Sequence, residues 1–336
     1  MSIGAQPWRG SRIRGKILWL IAGVLVLAGT IISGVNVMNR NASHVAIADL
    51  TNPGAVAEEA HDAPRSLCAP LAPSPDDNGG ESIREKKTAD YHGISFAYPT
   101  ALTPEIKAEI KPASPLEGET DKPEGVVPEH ISFSFSGAYA SKHASSYFKP
   151  EISIYSIPKY RDALALSSVY VQSLNHEINS LKVILARHSL PPGKDIPFMP
   201  FGIDASQAFH ARIKYLDFRN GKGIIFLTQF NIEPSLINNQ GLLYTFQGLT
   251  DDGLYYVSAR FPVTAPFLPP SYESDTFENY TLPAYFYSEH RESNEKSYKI
   301  YLAQAVRKLE ELPQNQFQPN LALSEELIRS LCIDVK

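Results

Sequence analysis

The chain has 336 residues, 43% of them hydrophobic and 20% charged, with a formal net charge of −5. That is apolar material enough for one large domain or two small ones, and the acidic balance excludes the broad basic surface that a nucleic-acid binder needs. Two cysteines are too few for a zinc cluster or a dense disulfide framework.

Residues 1–16 contain Arg9, Arg12, Arg14 and Lys16 and no acid. Ile17 to Val35 then runs for 19 residues without a charge. As a helix this run would be about 28 Å long, close to the hydrocarbon thickness of a bilayer. The sequence therefore predicts a single-pass anchor over 17–38 that contacts membrane lipid, with Trp19 at the inner interface. The positive-inside bias puts the N-terminus in the cytoplasm and the rest outside. A cleaved signal peptide is the alternative. It needs a small-x-small site close behind the apolar core, and the nearest candidate, Ala46-Ile47-Ala48, is remote.

Residues 39–90 read as a disordered tether. Five prolines interrupt it, nine acids outnumber the bases beyond Arg40, and apolar periodicity is absent. A flexible coil of about 50 residues spans roughly 40 Å root-mean-square. Cys68 lies in this tether and Cys332 near the C-terminus. Outside the cytoplasm two lone cysteines tend to pair, and chain-entropy reasoning caps the gain from so long a loop at roughly 5 kcal/mol. The alternative is a buried Cys332 and an unrelated, exposed Cys68.

Residues 91–336 read as an extracytoplasmic α+β domain with a mostly antiparallel sheet. Strands are expected at Gly93–Pro99, His130–Phe135 and Glu151–Tyr155, with a Pro- and Glu-rich excursion over 99–128. A helix from about Leu164 to Arg187 presents Leu174, Ile178, Leu181 and Leu185 as one stripe. Ser206 to Phe261 reads as a four-stranded meander. Its turns are expected at Asn220-Gly221, Asn238–Gly241 and Asp251-Asp252-Gly253. Two amphipathic helices follow. The first carries Tyr298, Leu302, Ala305, Val306 and Leu309 on one face, with Glu295 in its first turn. The second is capped by Ser324.

Tyr-x-Gly-Ile-Ser-Phe-x-Tyr-Pro (91–99), Phe226–Gln229, Tyr244–Gly253, Tyr255–Ala259 and Phe261-Pro262-Val263 together resemble a family of uncharacterised bacterial membrane-anchored extracytoplasmic proteins. The resemblance covers roughly residues 91–334 and implies no functional residues. The order of elements is more distantly similar to the PsbP/Mog1-like fold, which implies an α/β/α sandwich. That is an analogy of architecture and does not fix function.

A two-residue loop at Asn220-Gly221 would set Arg212 opposite Gln229 and Lys214 opposite Leu227. His210, Arg212, Lys214 and Gln229 would then share a face. Thr245, Gln247, Tyr256, Ser258 and Arg260 share a face of the second hairpin. If the hairpins join in phase, the nine residues form one polar, partly basic surface suited to a small acidic or sugar-like ligand. The plainer reading is the solvated side of an antiparallel sheet. The loop Asn231–Gly241 also stands out, and the segment Pro262–Pro283, with Phe267, Leu268, Tyr272, Phe277 and Tyr280 among prolines, reads as an ordered wrap over the sheet edge. The alternative for that segment is a surface for a protein partner, because aromatic residues anchor interfaces.

Signatures of catalysis are poor. Ser146–Lys149 and Ser293–Lys296 both match Ser-x-x-Lys without its companion motifs. His176-Glu177 lacks the second histidine of a zinc-binding helix, and the nine histidines have no ligand spacing. No cofactor or metal is expected. Asn41-Ala42-Ser43 and Asn279-Tyr280-Thr281 match the glycosylation pattern. The reading that follows is a non-catalytic, membrane-anchored module that binds a ligand or partner. An extracytoplasmic hydrolase and an accessory subunit of a membrane complex are the alternatives.

Overall fold

The computed structural model describes Cys68 and residues 85–335, apart from 119–121, 144–145, 192, 201–204 and 288. These fall within one unit, His61–Lys336. The basic tail, the expected span 17–38 and nearly all of the tether lie outside the described residues. Among the described residues no helix is long and apolar enough to cross a membrane.

In chain order the elements are β1 (Lys86–Tyr91), β2 (Ile94–Pro99), β3 (Ile106–Lys111), β4 (His130–Phe135), α1 (Gly137–Lys142), β5 (Glu151–Ser156), α2 (Ile157–Ala163) and α3 (Ser168–Arg187). There follow β6 (Ser206–Gln207), β7 (Ala211–Phe218), β8 (Gly221–Thr228), β9 (Phe230–Asn231), β10 (Leu243–Thr250), β11 (Tyr255–Pro262), β12 (Thr276–Phe277) and β13 (Tyr280–Thr281). The chain closes with α4 (Arg291–Glu311), α5 (Leu321–Ser330) and β14 (Cys332–Ile333).

The fold is α+β. Seven strands pair antiparallel in the order β3-β4-β5-β11-β10-β8-β7, and β7, β8, β10 and β11 are the expected meander. Even-numbered β8 residues Ile224 and Phe226 pack with Tyr256 of β11 and with Leu174, Ile178, Leu181 and Leu185 of α3, the predicted stripe. Odd-numbered Ile225 and Leu227 pack with Ala305 and Leu309 of α4 and with Leu327 and Ile328 of α5. A smaller sheet, β1-β2-β14, covers part of that second face. Both faces of the central strands are thus covered, and every residue of β10 is buried.

Four boundaries differ from expectation. The ordered sheet begins at Lys86, not Tyr91. β1 is an edge strand of alternating polar residues, so it carries no apolar signal. The helix expected from about Leu164 begins at Ser168 as α3, and a separate short helix outside that expectation, α2, ends before it at Ala163. Ser324 does not cap α5: Asn320 does, accepting from the Ala322 N–H at 3.0 Å, and Ser324 is buried inside the helix. Glu295 lies one turn into α4, paired with Arg291 at 2.7 Å.

The first hairpin also closes differently. Phe218 pairs with Gly221, so the loop residues are Arg219 and Asn220. Gly221 does not serve the turn. A Cβ there would sit 2.1 Å from the Phe218 ring and 2.5 Å from the Leu249 carbonyl, so glycine permits a close approach. Farther along, Lys214 pairs with Ile225 and Ala211 with Leu227. The extra residue is a β-bulge at Arg212, whose φ is +55°.

Cys68 and Cys332 are joined by a disulfide. It lies at the turn end of the sheet, with the 219–220 loop, the 251–254 loop and the His92-Gly93 turn. Arg219 N–H donates to the Leu331 carbonyl at 3.0 Å, and Asp334 N–H to that of Gly93 at 2.7 Å. The opposite, loop end collects the 229–242 connection and the long segment after Pro262.

Candidate functional site

The nine residues of the predicted polar face do not form one surface. Gln247 pairs with Ile224 and Thr245 with Phe226, whereas Lys214 pairs with Ile225. The hairpins are therefore out of phase, and a shift of one residue exchanges faces. Lys214 and Arg212 project toward the α4/α5 side. Lys214 binds Glu325 at 2.7 Å. Arg212 donates through its backbone N–H to the Glu310 carboxylate at 2.6 Å and lies over the Phe317 ring.

Thr245, Gln247, Tyr256 and Ser258 do share the other face, but it is closed. All four are essentially without solvent exposure. Gln247 donates to Thr245 and Ser258 at 2.8 and 3.2 Å and accepts from the Met199 N–H at 3.2 Å. Ser258 donates to the Met199 carbonyl at 2.7 Å, and Tyr256 to that of Pro197 at 3.2 Å. A buried polar group must find partners, and these use each other to dock the Pro-rich segment before Pro200 onto the sheet. His210 stands beside this patch, bonded to Gln207.

Arg260 belongs to a neighbouring buried pair. It lies 3.1 Å from Glu151, and both side chains are about 15% exposed. Glu151 also accepts from Ser132 and Ser153, at 2.6 and 2.9 Å. Burial pushes the Glu151 carboxyl up, but Arg260 and the two hydroxyls together outweigh it and hold the group below its ordinary value.

Gln229, the ninth residue, lies at the loop end on the floor of an open cleft of about 480 Å³. Phe148, Phe230 and Phe198 meet here at 4.7 to 5.6 Å between ring centroids. Tyr147 and Tyr272 face each other at the mouth, 6.3 Å apart with planes at 34°. They are 66% and 53% exposed, and nearby Ile232 is 88% exposed. A second depression, lined by Tyr285, Phe286 and Tyr287, shares Glu233, Pro234 and Leu282 with the first, so the two form one groove.

The walls of this groove are held firmly. The Gln229 amide donates to the Leu236 carbonyl and accepts from the Asn238 N–H, both at 3.0 Å. Asn238 in turn accepts from the N–H groups of Gln240 and Gly241. Asn239 ties the loop to the wrap through Ala265, Leu268 and Pro269. From α4, Tyr301 accepts from the Ile237 N–H at 2.6 Å and Tyr298 donates to the Ser235 carbonyl at 2.8 Å. Ser146 anchors the Tyr147 side by donating to the Gln240 carbonyl at 3.1 Å.

A broader groove of about 620 Å³ lies at the turn end, among His92, Glu129, His130, Lys159 and Asp334. Lys159 is paired with Glu129 at 3.1 Å. His130 makes a 2.9 Å bond to the Pro128 carbonyl, and burial holds its ring below its ordinary pKa. Elsewhere the two Ser-x-x-Lys serines serve local structure: Ser146 as above, and Ser293 by donating to the His290 carbonyl. Asn279 lies exposed between β12 and β13, and Asn41 is outside the described residues. Asp252 serves its turn, accepting from Thr250 and from the Leu254 N–H. Among the described residues no group of three or more His, Cys, Asp or Glu side chains is placed to hold a metal ion.

Of the segments noted in the sequence, 262–283 contributes only Tyr272 and Leu282 to the aromatic cleft and turns Leu268 and Phe277 into the core, whereas the loop 231–241 supplies much of the cleft. What sequence could not show is that Tyr147 and Phe148, some 80 residues earlier, complete it. Comparison with family models, curated proteins and solved structures gives no match for this chain.

Proposed function

We propose that this protein is a non-catalytic binding module, held outside the cytoplasmic membrane by its N-terminal segment, that takes its ligand or partner in the aromatic groove at the loop end. The observation that carries this reading is the exposure of large rings on a braced backbone. Tyr147, Tyr272 and Ile232 leave apolar area in water, which costs hydrophobic stabilisation, while the loops beneath them are fixed by the bonds of Gln229, Asn238 and Asn239. Aromatic clefts with a few oriented amides are built for recognition, and the lining among the described residues is rich in aromatic and amide side chains. The Cys68–Cys332 bridge supports the compartment, because disulfides persist where the surroundings are oxidising.

The test is a thermal-shift screen of the full-length protein in detergent, against saccharides and short peptides, alongside Gly241→Leu. A Cβ at Gly241 would lie 2.9 Å from the Gln229 side chain, so this variant fills the cleft floor. Ligands that stabilise the wild type and not a still-folded Gly241→Leu support the reading. Ligands that stabilise both equally overturn the assignment to the groove, and turnover of any substrate that a single point change abolishes overturns the non-catalytic half. For the compartment, a membrane-impermeant protease should cleave the chain beyond Tyr91 in intact cells; protection until lysis refutes it.

A further inference from the structure

The chemistry of the groove narrows what it can hold. Its charged lining consists of Glu233 and Asp275 alone, with no cation among the described residues. Arg291 lies over one face of the Tyr287 ring at 5.6 Å but is paired with Glu295 at 2.7 Å, so an anionic ligand would meet mostly like charge. An extended peptide that binds by strand addition needs free backbone N–H and C=O groups along an edge. The loop offers no such N–H row: those of Ile237, Asn238, Asn239, Gln240 and Gly241 are all taken, by Tyr301, Gln229, Pro269 and the Asn238 side chain. What remains available is ring face and hydroxyl. Tyr147 and Tyr272 present paired, tilted rings, and Tyr285 and Tyr287, 82% and 62% exposed, continue the aromatic surface along the second depression.

We infer that the groove binds a neutral oligosaccharide chain. The C–H faces of successive sugar rings stack on Tyr147 and Tyr272 and then on Tyr285 and Tyr287, while the phenol hydroxyls bond the sugar hydroxyls. Tyrosine suits this double task, because it has an apolar body and a polar tip and little rotamer freedom to lose. A groove lined along two joined depressions favours a chain over a single sugar, so affinity rises with chain length. The inference rests on the groove being the binding site and goes beyond it in naming the ligand class.

The experiment uses the full-length protein in a detergent without a sugar headgroup. Hydrogen exchange at 229–241 and 271–287 is followed on adding neutral oligomers of N-acetylglucosamine or of glucose, from monomer to hexamer, and separately on adding uncharged aromatic tetrapeptides. The expected result is protection by one of the saccharide series, strengthening with length. Tyr147→Ala and Tyr272→Ala should each weaken binding by about tenfold and Tyr272→Phe by much less. Protection by the peptides and by neither saccharide series overturns the glycan inference and leaves the binding-module reading standing. Protection by none of them overturns both. Saccharide binding that both alanine variants leave unchanged also overturns the inference, because the sugar is then held elsewhere.

Discussion

The side chain of Asn220 brackets the backbone of Ile333: its amide nitrogen donates to the Ile333 carbonyl at 2.6 Å, and its oxygen accepts from the Ile333 N–H at 3.0 Å. A hairpin-loop residue of the large sheet thereby acts as a strand partner for the C-terminal β14, one residue from the disulfide. Asn220→Ala should cost about 1–3 kcal/mol, because it leaves a partly buried backbone pair without its partner. It should also speed reduction of Cys68–Cys332 by dithiothreitol. Urea denaturation and thiol trapping measure the two effects; an unchanged reduction rate would show that β14 stays seated without Asn220.

Arg260 and Glu151 make a buried pair whose value depends on keeping both members. Arg260→Leu should destabilise by about 3–5 kcal/mol, because it strands a buried carboxylate. Adding Glu151→Leu should recover a large part of that loss. The native Glu151 carboxyl titrates below its unfolded value. Its contribution is thus full above the unfolded pKa and is lost as pH falls through the folded one. Acid-unfolding curves of the wild type and the double variant should diverge at neutral pH and converge in acid.

His143 sets a second pH dependence. Burial, reinforced by neighbouring Lys142, pushes its ring down to about 4, and a bond to the Gln318 backbone opposes this only in part. An unfolded histidine protonates near pH 6.5. The folded state therefore loses stability as pH falls from about 6.5 to about 4. His143→Gln should flatten the dependence of Tm on pH across that window; an unchanged slope would show that other groups set it.

Tyr301→Phe tests how the groove is braced. It removes the acceptor of the Ile237 N–H while keeping the ring, which stacks on Tyr280 at 4.8 Å. The cost should be about 1–3 kcal/mol, with faster amide exchange confined to 235–241. Uniformly faster exchange would instead mean that the loop opens only with the whole domain.

Period and punctuation made much of the fold legible. The α3 stripe, the alternation in β4 and β5 and the order of the meander follow from apolar spacing alone, and Thr245, Gln247, Tyr256 and Ser258 do face one way. Phase between hairpins was not legible, because it is set by the register of β8 on β10 across the long 229–242 connection, which places Thr245 opposite Phe226 and Gln247 opposite Ile224. The bulge at Arg212, supported by a Glu310 carboxylate from 98 residues away, lies beyond Lys214 and shifts only the residues before it. Nor was the polar patch readable as interior, since the segment before Pro200 that seals it carries no local sign of its destination. Asn220-Gly221 misled for a physical reason: both residues suit a turn, but here the loop is Arg219-Asn220, with the Asn220 side chain turned onto β14, and Gly221 opens the strand where a close approach needs it.

The disulfide also decides how the domain takes a load. A pull arriving from the N-terminal side reaches the fold at Cys332, where β14 is backed by α5 and held by Asn220, before it reaches Lys86. With the sulfurs reduced, the same pull would enter at the free end of β1, an edge strand that pairs with β2 alone, and would unzip it rung by rung. The bridge thus shields an edge-strand seam of the domain from tension, a property that single-molecule extension in oxidising and reducing buffer would reveal as a drop in rupture force on reduction.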